Sequence, residues 1–426
     1  MHVLMVSQFY PPVLGGQERH VRDLAHALAA RGHEVEVATI ASGDAGTTMD
    51  GPVRVHRLRA SAQRLPGVYS EEERPHAPPL PDPALRSALG RLLVHERFDV
   101  AHAHDWTVNS LLGPARRTRT PVVLTQHDYS HVCATKRMMR GDNVCPGPEP
   151  MACMRCAAGH YGPVKGAGVV LANMAERRVR ARHVDAFVPV SSAVAARTDL
   201  TGARHVEVIA NFVPDDLLVD PADLEVPSAD APILFVGDLT RDKGVPVLFE
   251  AYRRLEAPPP LTLAGRVLPE TPPERAPGVV VLGPVSPDTV RQLMRGCLAL
   301  VLPSIVLDCC PTVVLEAMAA GRAVVGSSSG GIPDLVDDGV TGFVVPPGDA
   351  VTLADALARL ISDRAEAAAL GRRGLDKVRA YTASAVTGHV ERLYRELVSR
   401  SPDTSPGEQG APRDDASRTE DRHARR

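Results

Sequence analysis

Twice along this chain, short β-rich runs alternate with longer helical patterns, and that repetition decides what the chain can fold into. In the first half Val3 to Ser7 reads as a strand, Gln17 to Arg31 as a helix stopped by Gly32, and Glu34 to Ile40 as a second strand in which Val35, Val37 and Thr39 alternate with their neighbours. Further strand candidates are Val53 to His56, Asp99 to His102, Val122 to Thr125 and Ala186 to Val190. The rhythm then restarts with strands at Ile233 to Val236, Leu261 to Ala264, Val279 to Leu282, Leu298 to Leu302 and Ala323 to Gly326. Helical patterns lie between them at Val245 to Leu255, Thr289 to Cys297 and Val313 to Ala320. Strands separated by helices in this way form βαβ units, so each half predicts a mostly parallel sheet covered by helices. The length of 426 residues agrees, being too long for one typical core and suited to two.

Asn211 to Asp215 reads as the exit from the first domain, and Pro221 to Pro232 as an acidic, Pro- and Ala-rich connection. The expected organisation is a first domain over residues 1–210, a second over 211–382, a C-terminal helix over 383–400 placed to cross back to the first domain, and a disordered tail over 401–426. The Pro-, Glu- and Arg-rich stretch from Leu65 to Pro83 reads as a mobile loop near the cleft.

Composition narrows the function classes. A net charge of -3 gives the whole chain no strong attraction for nucleic acid. No run of about 18 apolar residues could span a bilayer, so a membrane could be met only peripherally. The first seven residues lack a basic leader and read as a buried strand, which predicts a cytoplasmic protein, with the inner face of the membrane as an alternative address. The basic run Arg177 to His183 reads either as a solvated helix face or as a contact for a phosphorylated or lipid-linked substrate or an anionic surface.

Three segments carry chemistry. Gly15-Gly16, between a strand and a helix, lets backbone N–H groups approach an anion, although a plain turn would use the same residues. Gly237 to Gly244 follows a buried strand and contains Arg241 and Lys243, suited to clamp a diphosphate or to form a surface ion-pair loop. Asp308 precedes a helix where it can meet sugar hydroxyls, and Glu316 lies within that helix among apolar residues, where ribose hydroxyls are suitable donors.

These segments, in this order, make the chain resemble a retaining glycosyltransferase of family 4, the "glycosyl transferases group 1" type, whose GT-B fold sets two Rossmann-like α/β domains across a cleft. The resemblance runs to about residue 398 through Gly15-Gly16-Gln17-Glu18, Thr125-Gln126-His127-Asp128, the Gly237 to Gly244 loop, the pair Asp308 and Glu316, and Gly342 to Gly348. It implies transfer of a sugar from a UDP- or GDP-linked donor to a hydroxyl acceptor such as a polysaccharide or glycolipid precursor, with no cofactor required for catalysis. A phosphorylase, a hydrolase or a catalytically silent sugar-nucleotide binder are the alternatives. By resemblance, Gly15 and Gly16 present backbone to the donor, His127 contacts the transferred sugar, Arg241 and Lys243 bind the diphosphate, Asp308 binds a sugar hydroxyl and Glu316 the ribose. Two positions depart from the family pattern: Asp238 stands where an arginine is usual, and a carboxylate cannot clamp phosphate, and Asp308 stands where the family favours a glutamate, a mild change of one methylene.

Two further clusters allow metal. His102 and His104 end a strand on the same side and read as metal ligands or as part of an ordered cleft loop. Cys133-x11-Cys145-x7-Cys153-x2-Cys156, in an insertion over residues 129–161, reads as a tetrahedral structural zinc site or as a loop of free cysteines. Cys297, Cys309 and Cys310 read as core or helix-cap neighbours.

Overall fold

The computed structural model describes residues 1–400 apart from 14, 65–74, 142 and 269–276. The tail over 401–426 and most of the loop expected between Leu65 and Pro83 therefore lie outside the described residues.

The first half runs β1 (His2–Ser7), α1 (Gly16–Ala30), β2 (Glu34–Ile40), β3 (Gly46–Asp50) and β4 (Val53–Leu58). It continues with α2 (Pro83–His95), β5 (Val100–Ala103), α3 (Val108–Thr118) and β6 (Val122–Gln126). A small hairpin of β7 (Met139–Arg140) and β8 (Asn143–Val144) follows, then α4 (Pro150–Tyr161), α5 (Pro163–His183), β9 (Ala186–Pro189) and α6 (Ser192–Arg197). The second half begins with β10 (Ile233–Val236), α7 (Val245–Arg253), β11 (Leu261–Ala264), β12 (Val279–Gly283) and α8 (Pro287–Gly296). After it come β13 (Ala299–Leu302), α9 (Thr312–Ala319), β14 (Ala323–Ser327), α10 (Ile332–Leu335) and β15 (Gly342–Val345). Three helices close the chain: α11 (Ala350–Ser362), α12 (Arg364–Val378) and α13 (Ala383–Ser399).

The strands form two large sheets, ordered β3-β4-β2-β1-β5-β6-β9 and β12-β11-β10-β13-β14-β15. All their pairings are parallel except β3 with β4. Central strands are buried along nearly their whole length, as β1 and β13 are, because helices cover both faces. The alternation in the sequence thus becomes two doubly wound domains. β3 escapes the pattern: its residues are largely exposed, and it adds an antiparallel edge that burial periodicity cannot announce.

The final helix belongs to the first core. Val386, Val390, Leu393, Tyr394 and Leu397 form one apolar stripe at helical spacing and pack with Val3, Met5, Val21, Leu24 and Leu28. The chain reaches that position through a short parallel bridge, in which Val213 donates to the Tyr381 carbonyl at 3.0 Å and Ala383 donates to the Val213 carbonyl at 2.9 Å. Thr382 caps the helix by accepting from the Ala385 amide. The buried Glu391 carboxylate accepts from Arg31 at 2.7 Å and bonds His33 at 3.0 Å, fixing the helix against the end of α1.

Candidate active site

In each sheet the strand order reverses direction at one place, and loops leaving the carboxyl ends of the two strands there diverge to open a crevice. In the first sheet that place lies between β1, which leads into Gly15-Gly16, and β5, which leads into His104-Asp105. In the second it lies between β10, leading into the Gly237 to Gly244 loop, and β13, leading into Pro303 to Pro311. A cavity of about 410 Å³ separates the domains. Gly16, Gln17, His127, Asp128, Lys136, Arg137 and Asn211 line it on one side, and Lys243 and Val306 to Thr312 on the other. A second hollow of about 550 Å³ lies between α2 and α3, and it shares no residue with this cleft.

On the first-domain side the buried Asp105 carboxylate ties the floor together. It accepts from the Gln8 amide at 2.6 Å, the Gln17 side-chain amide at 2.9 Å and the Thr107 amide at 2.8 Å. Gln17 is thereby fixed beside Gly16, whose absent side chain leaves open space toward the cavity. His127 faces the same cavity from the end of β6, and its Nε2 lies 3.1 Å from Nδ1 of His104. Around them His20, His102 and His104 cluster, His20 meeting His104 and His127 edge-on and His102 lying tilted against His104 with centroids 4.2 Å apart. Burial lowers all four imidazole pKa values, to about 3 for His102 and for His127, so the cluster is neutral.

His102 does not serve as a metal ligand. Its Nδ1 bonds the Tyr394 hydroxyl at 2.6 Å and its Nε2 bonds Thr125 Oγ1 at 2.7 Å, so both nitrogens are used and the ring anchors α13 to the sheet. The histidines that do gather are His20, His104 and His127, whose donor atoms lie within 4.8 Å of one another. No sequence spacing could signal this, since each comes from a different element.

On the second-domain side, the Lys243 ammonium donates to Asp308, whose other oxygen accepts from the Ser304 hydroxyl. The two loops are also joined through backbone: the Asp242 carbonyl accepts from Ile305 at 2.9 Å and Val306 at 3.2 Å. Gly244 has φ of 73°, and a Cβ there would fall 1.9 Å from the Pro303 carbonyl oxygen, so only glycine allows this approach. Gly330 plays the same part behind Asp308, whose carbonyl oxygen would meet a Cβ at 2.0 Å. Helix α9 starts beside the cavity with no side-chain cap, so its open amides and positive dipole end face a prospective anion.

The structure brings Gly16, His127, Lys243 and Asp308 to one cavity. Glu316 lies deeper on α9, its pKa raised by burial, with Arg19 of α1 at 3.6 Å across the domain boundary. Arg241 is exposed and does not line the cavity. Asp238 is held in a two-pronged pair by Arg266, at 2.9 and 2.6 Å, and neither residue lines the cavity. Cys309 and Cys310 do line it, yet burial pushes both thiols up, Cys310 to about 12, which removes them as nucleophiles at neutral pH.

The cysteine insertion reaches into the site. Tyr129, Val132, Met138 and Met139 are packed in the core of the second domain, and the loop between them delivers Lys136 and Arg137 to the cavity. Lys136 lies 4.5 Å over the Trp106 ring, and Arg137 pairs with Asp242. No local pattern marks either cation as functional, because each is placed by a segment remote in sequence, Trp106 and Asp242. The four cysteines are half-buried thiols in one neighbourhood, and Cys133, Cys145 and Cys156 each raise the Cys153 pKa after burial itself. Among the described residues they are not one of the groups whose donor atoms close to within 4.8 Å, so they do not stand here as an assembled tetrahedral set.

The basic run on α5 is divided: Arg180 is buried and Arg177 paired, while Arg178 and Arg182 are exposed. Arg180 is 1% exposed and donates to the His131 carbonyl at 3.0 Å, Asn109 at 3.0 Å and Asn173 at 2.8 Å, while Arg177 pairs with Asp199. A buried arginine with its fork saturated in this way is a structural element.

Comparison with known proteins agrees with this arrangement. Residues 14–217 match the family model described as "Glycosyltransferase Family 4", and residues 231–363 match "Glycosyl transferases group 1". The chain is 26% identical to a phosphatidyl-myo-inositol mannosyltransferase of Mycobacterium leprae, over 94% of this chain and 98% of that protein. It is 29% identical to a glycogen synthase of Mycobacterium tuberculosis, over 86% and 87% of the two. Among solved structures, a sucrose-phosphate synthase from Thermosynechococcus elongatus superposes with a TM-score of 0.70 at 22% identity, covering 94% of this chain and all of that one. An Anabaena protein in complex with UDP-glucose superposes at 0.63 and 17%, covering 93% of this chain and all of that one. With matched models on both halves and the paired switch-point loops facing one cleft, the chain belongs to the group 1, family 4 glycosyltransferases, the retaining class of GT-B fold.

Proposed function

We propose that this glycosyltransferase takes a UDP- or GDP-linked hexose in the interdomain cleft and passes the sugar, with retention, to a hydroxyl acceptor such as a polysaccharide or glycolipid precursor. The observation that carries the reading is the meeting of Gly16 and His127 from the first domain with Lys243, Asp308 and the open N-terminus of α9 from the second, around one cavity. The reaction breaks the bond between the anomeric carbon and the β-phosphate oxygen and forms one to the acceptor oxygen on the same face. The acceptor proton leaves with the nucleoside diphosphate.

Each residue has a task in that exchange. Negative charge grows on the departing β-phosphate, and Lys243 with the α9 amides is placed to stabilise it as it develops. Asp308, already oriented by Ser304, accepts from a sugar hydroxyl once Lys243 turns to the phosphate. A neutral His127 can donate or accept a hydrogen bond beside the reacting centre without adding a charge that would oppose the oxocarbenium-like sugar. Glu316 accepts from the ribose. The UDP-glucose complex of the Anabaena relative in fold supports a uridine donor, and the mannosyl- and glucan-forming relatives support a hexose.

Thermal protection by a panel of UDP- and GDP-sugars, followed by nucleoside diphosphate release and NMR of the product anomer, tests this. One donor class is expected to raise Tm by several degrees and to give a product of the donor's configuration. No protection by any donor would refute the reading, and an inverted product would refute retention. Protection without turnover on any hydroxyl acceptor would favour a silent binding protein.

A further inference from the structure

We propose that Arg137, on the cysteine-rich loop of the first domain, is a ligand of the donor diphosphate and completes the clamp from across the cleft. This rests on the reading that the cleft takes a nucleoside-diphosphate sugar. A diphosphate ester carries about two negative charges and gains another as it leaves, so a site that stabilises departure needs more than one cation. Among the described residues the second domain contributes a single lining cation, Lys243, and its ammonium is engaged by Asp308. Asp238 is neutralised by Arg266 outside the cavity lining, so this part of the phosphate loop adds no positive charge to it.

The first domain supplies what is missing. Lys136 and Arg137 line the same cavity as Lys243, but they are held differently. Lys136 is seated over Trp106, on the first-domain side. Arg137 crosses to the phosphate loop itself and pairs with Asp242, the residue directly before Lys243. That pair is nearly half exposed on both sides, 46% and 44%, so its partner exchange is cheap. The guanidinium fork matches two phosphate oxygens at once, which a carboxylate in an exposed pair does not outcompete. The loop carrying Arg137 is anchored on both sides by Val132 and Met138 in the second domain's core, so the arginine is already positioned when donor enters. Asp242 serves as its placeholder, and the donor replaces it.

The test is calorimetric titration of wild type, Arg137→Ala, Arg137→Lys and Asp242→Asn with UDP, GDP and the matching free nucleosides. Arg137→Ala is expected to weaken the bound diphosphate about tenfold or more while leaving nucleoside affinity unchanged. Arg137→Lys should restore part of the loss, and Asp242→Asn should tighten the diphosphate by releasing the arginine. Equal weakening of nucleoside and nucleotide, or no change in either, would overturn the proposal while wild-type binding kept the donor reading intact. Wild type binding neither UDP nor GDP would overturn the donor reading and the clamp with it. Unchanged Tm in Arg137→Ala, a half-exposed side chain, separates lost contact from lost fold.

Discussion

Arg19 on α1 and Glu316 on α9 face each other across the domain boundary, Nη1 to Oε1 at 3.6 Å. The contact sets a cation from the helix behind the paired glycines against the carboxylate assigned to the ribose. Burial raises the Glu316 pKa, and Arg19 partly offsets it. Glu316→Gln should therefore raise the donor KM about tenfold, the worth of roughly one charged hydrogen bond, with a smaller change in kcat. Arg19→Ala should leave kcat within about twofold, because Arg19 meets Glu316 and not the cleft. Steady-state kinetics on both variants decide it, and an unchanged donor KM in Glu316→Gln would remove the ribose role.

Lys243 and Asp308 are bonded to each other before any donor is present. Lys243→Ala should lower kcat/KM by about 10²-fold, near 2.7 kcal/mol, through lost stabilisation of the leaving phosphate. Asp308→Asn should lower kcat more than KM. In the double variant the losses should fall short of additive, since each single change also releases the other side chain from its partner. Strict additivity would show that the two act independently.

The neutral histidine cluster makes the fold sensitive to acid. His102 is 1% exposed, and its pKa is lowered from 6.5 to about 3 by burial, with a smaller push from His20. Below pH 6.5 the unfolded chain takes up a proton that the folded state refuses until about pH 3, so stability falls as pH falls through that window. The slope is about 1.4 kcal/mol per pH unit for one such histidine, and His20, His104 and His127 shift the same way. Denaturant unfolding between pH 7.5 and pH 5 should show a steep loss of stability toward acid. A flat profile would mean that the rings are protonated in the fold.

Tyr394 ties the last helix to the first sheet through a buried hydroxyl, 2.6 Å from His102 Nδ1. Tyr394→Phe keeps the ring and orphans the nitrogen, which should cost about 1–3 kcal/mol in unfolding free energy. Because α13 returns from the second half of the chain to the first core, limited proteolysis of the variant should release the segment after Thr382 earlier than in wild type. Equal protection would show that the apolar stripe alone holds the helix.

Much was decided by the sequence itself. Buried parallel strands must be apolar along their length and their helices must carry a stripe, so the two βαβ rhythms and nearly all central strands are written locally, as at Ile233–Val236 and Leu261–Ala264. The positive φ of Gly244 is local as well, since it belongs to the turn that contains it, whereas the Pro303 carbonyl that leaves no room for a Cβ there comes from a remote loop. The edge strand β3 and the two-residue strands β7 and β8 escaped because short or exposed pairings leave no burial pattern.

What the sequence could not fix is which charges meet. Asp238, out of place in a phosphate clamp by sequence, is held by Arg266, 28 residues on, at 2.6 Å. His102, which the sequence leaves open as a metal ligand or as part of an ordered cleft loop, bonds Tyr394 from 292 residues away. Arg137 lies among cysteines in sequence, and the fold carries its loop across the cleft to Asp242. Hydrophobic periodicity is a property of neighbouring residues, but electrostatic partnership depends on distances of a few ångströms between segments remote in sequence. Tertiary folding sets the first two of those distances within single domains, and only the Arg137–Asp242 pair depends on how the two domains meet.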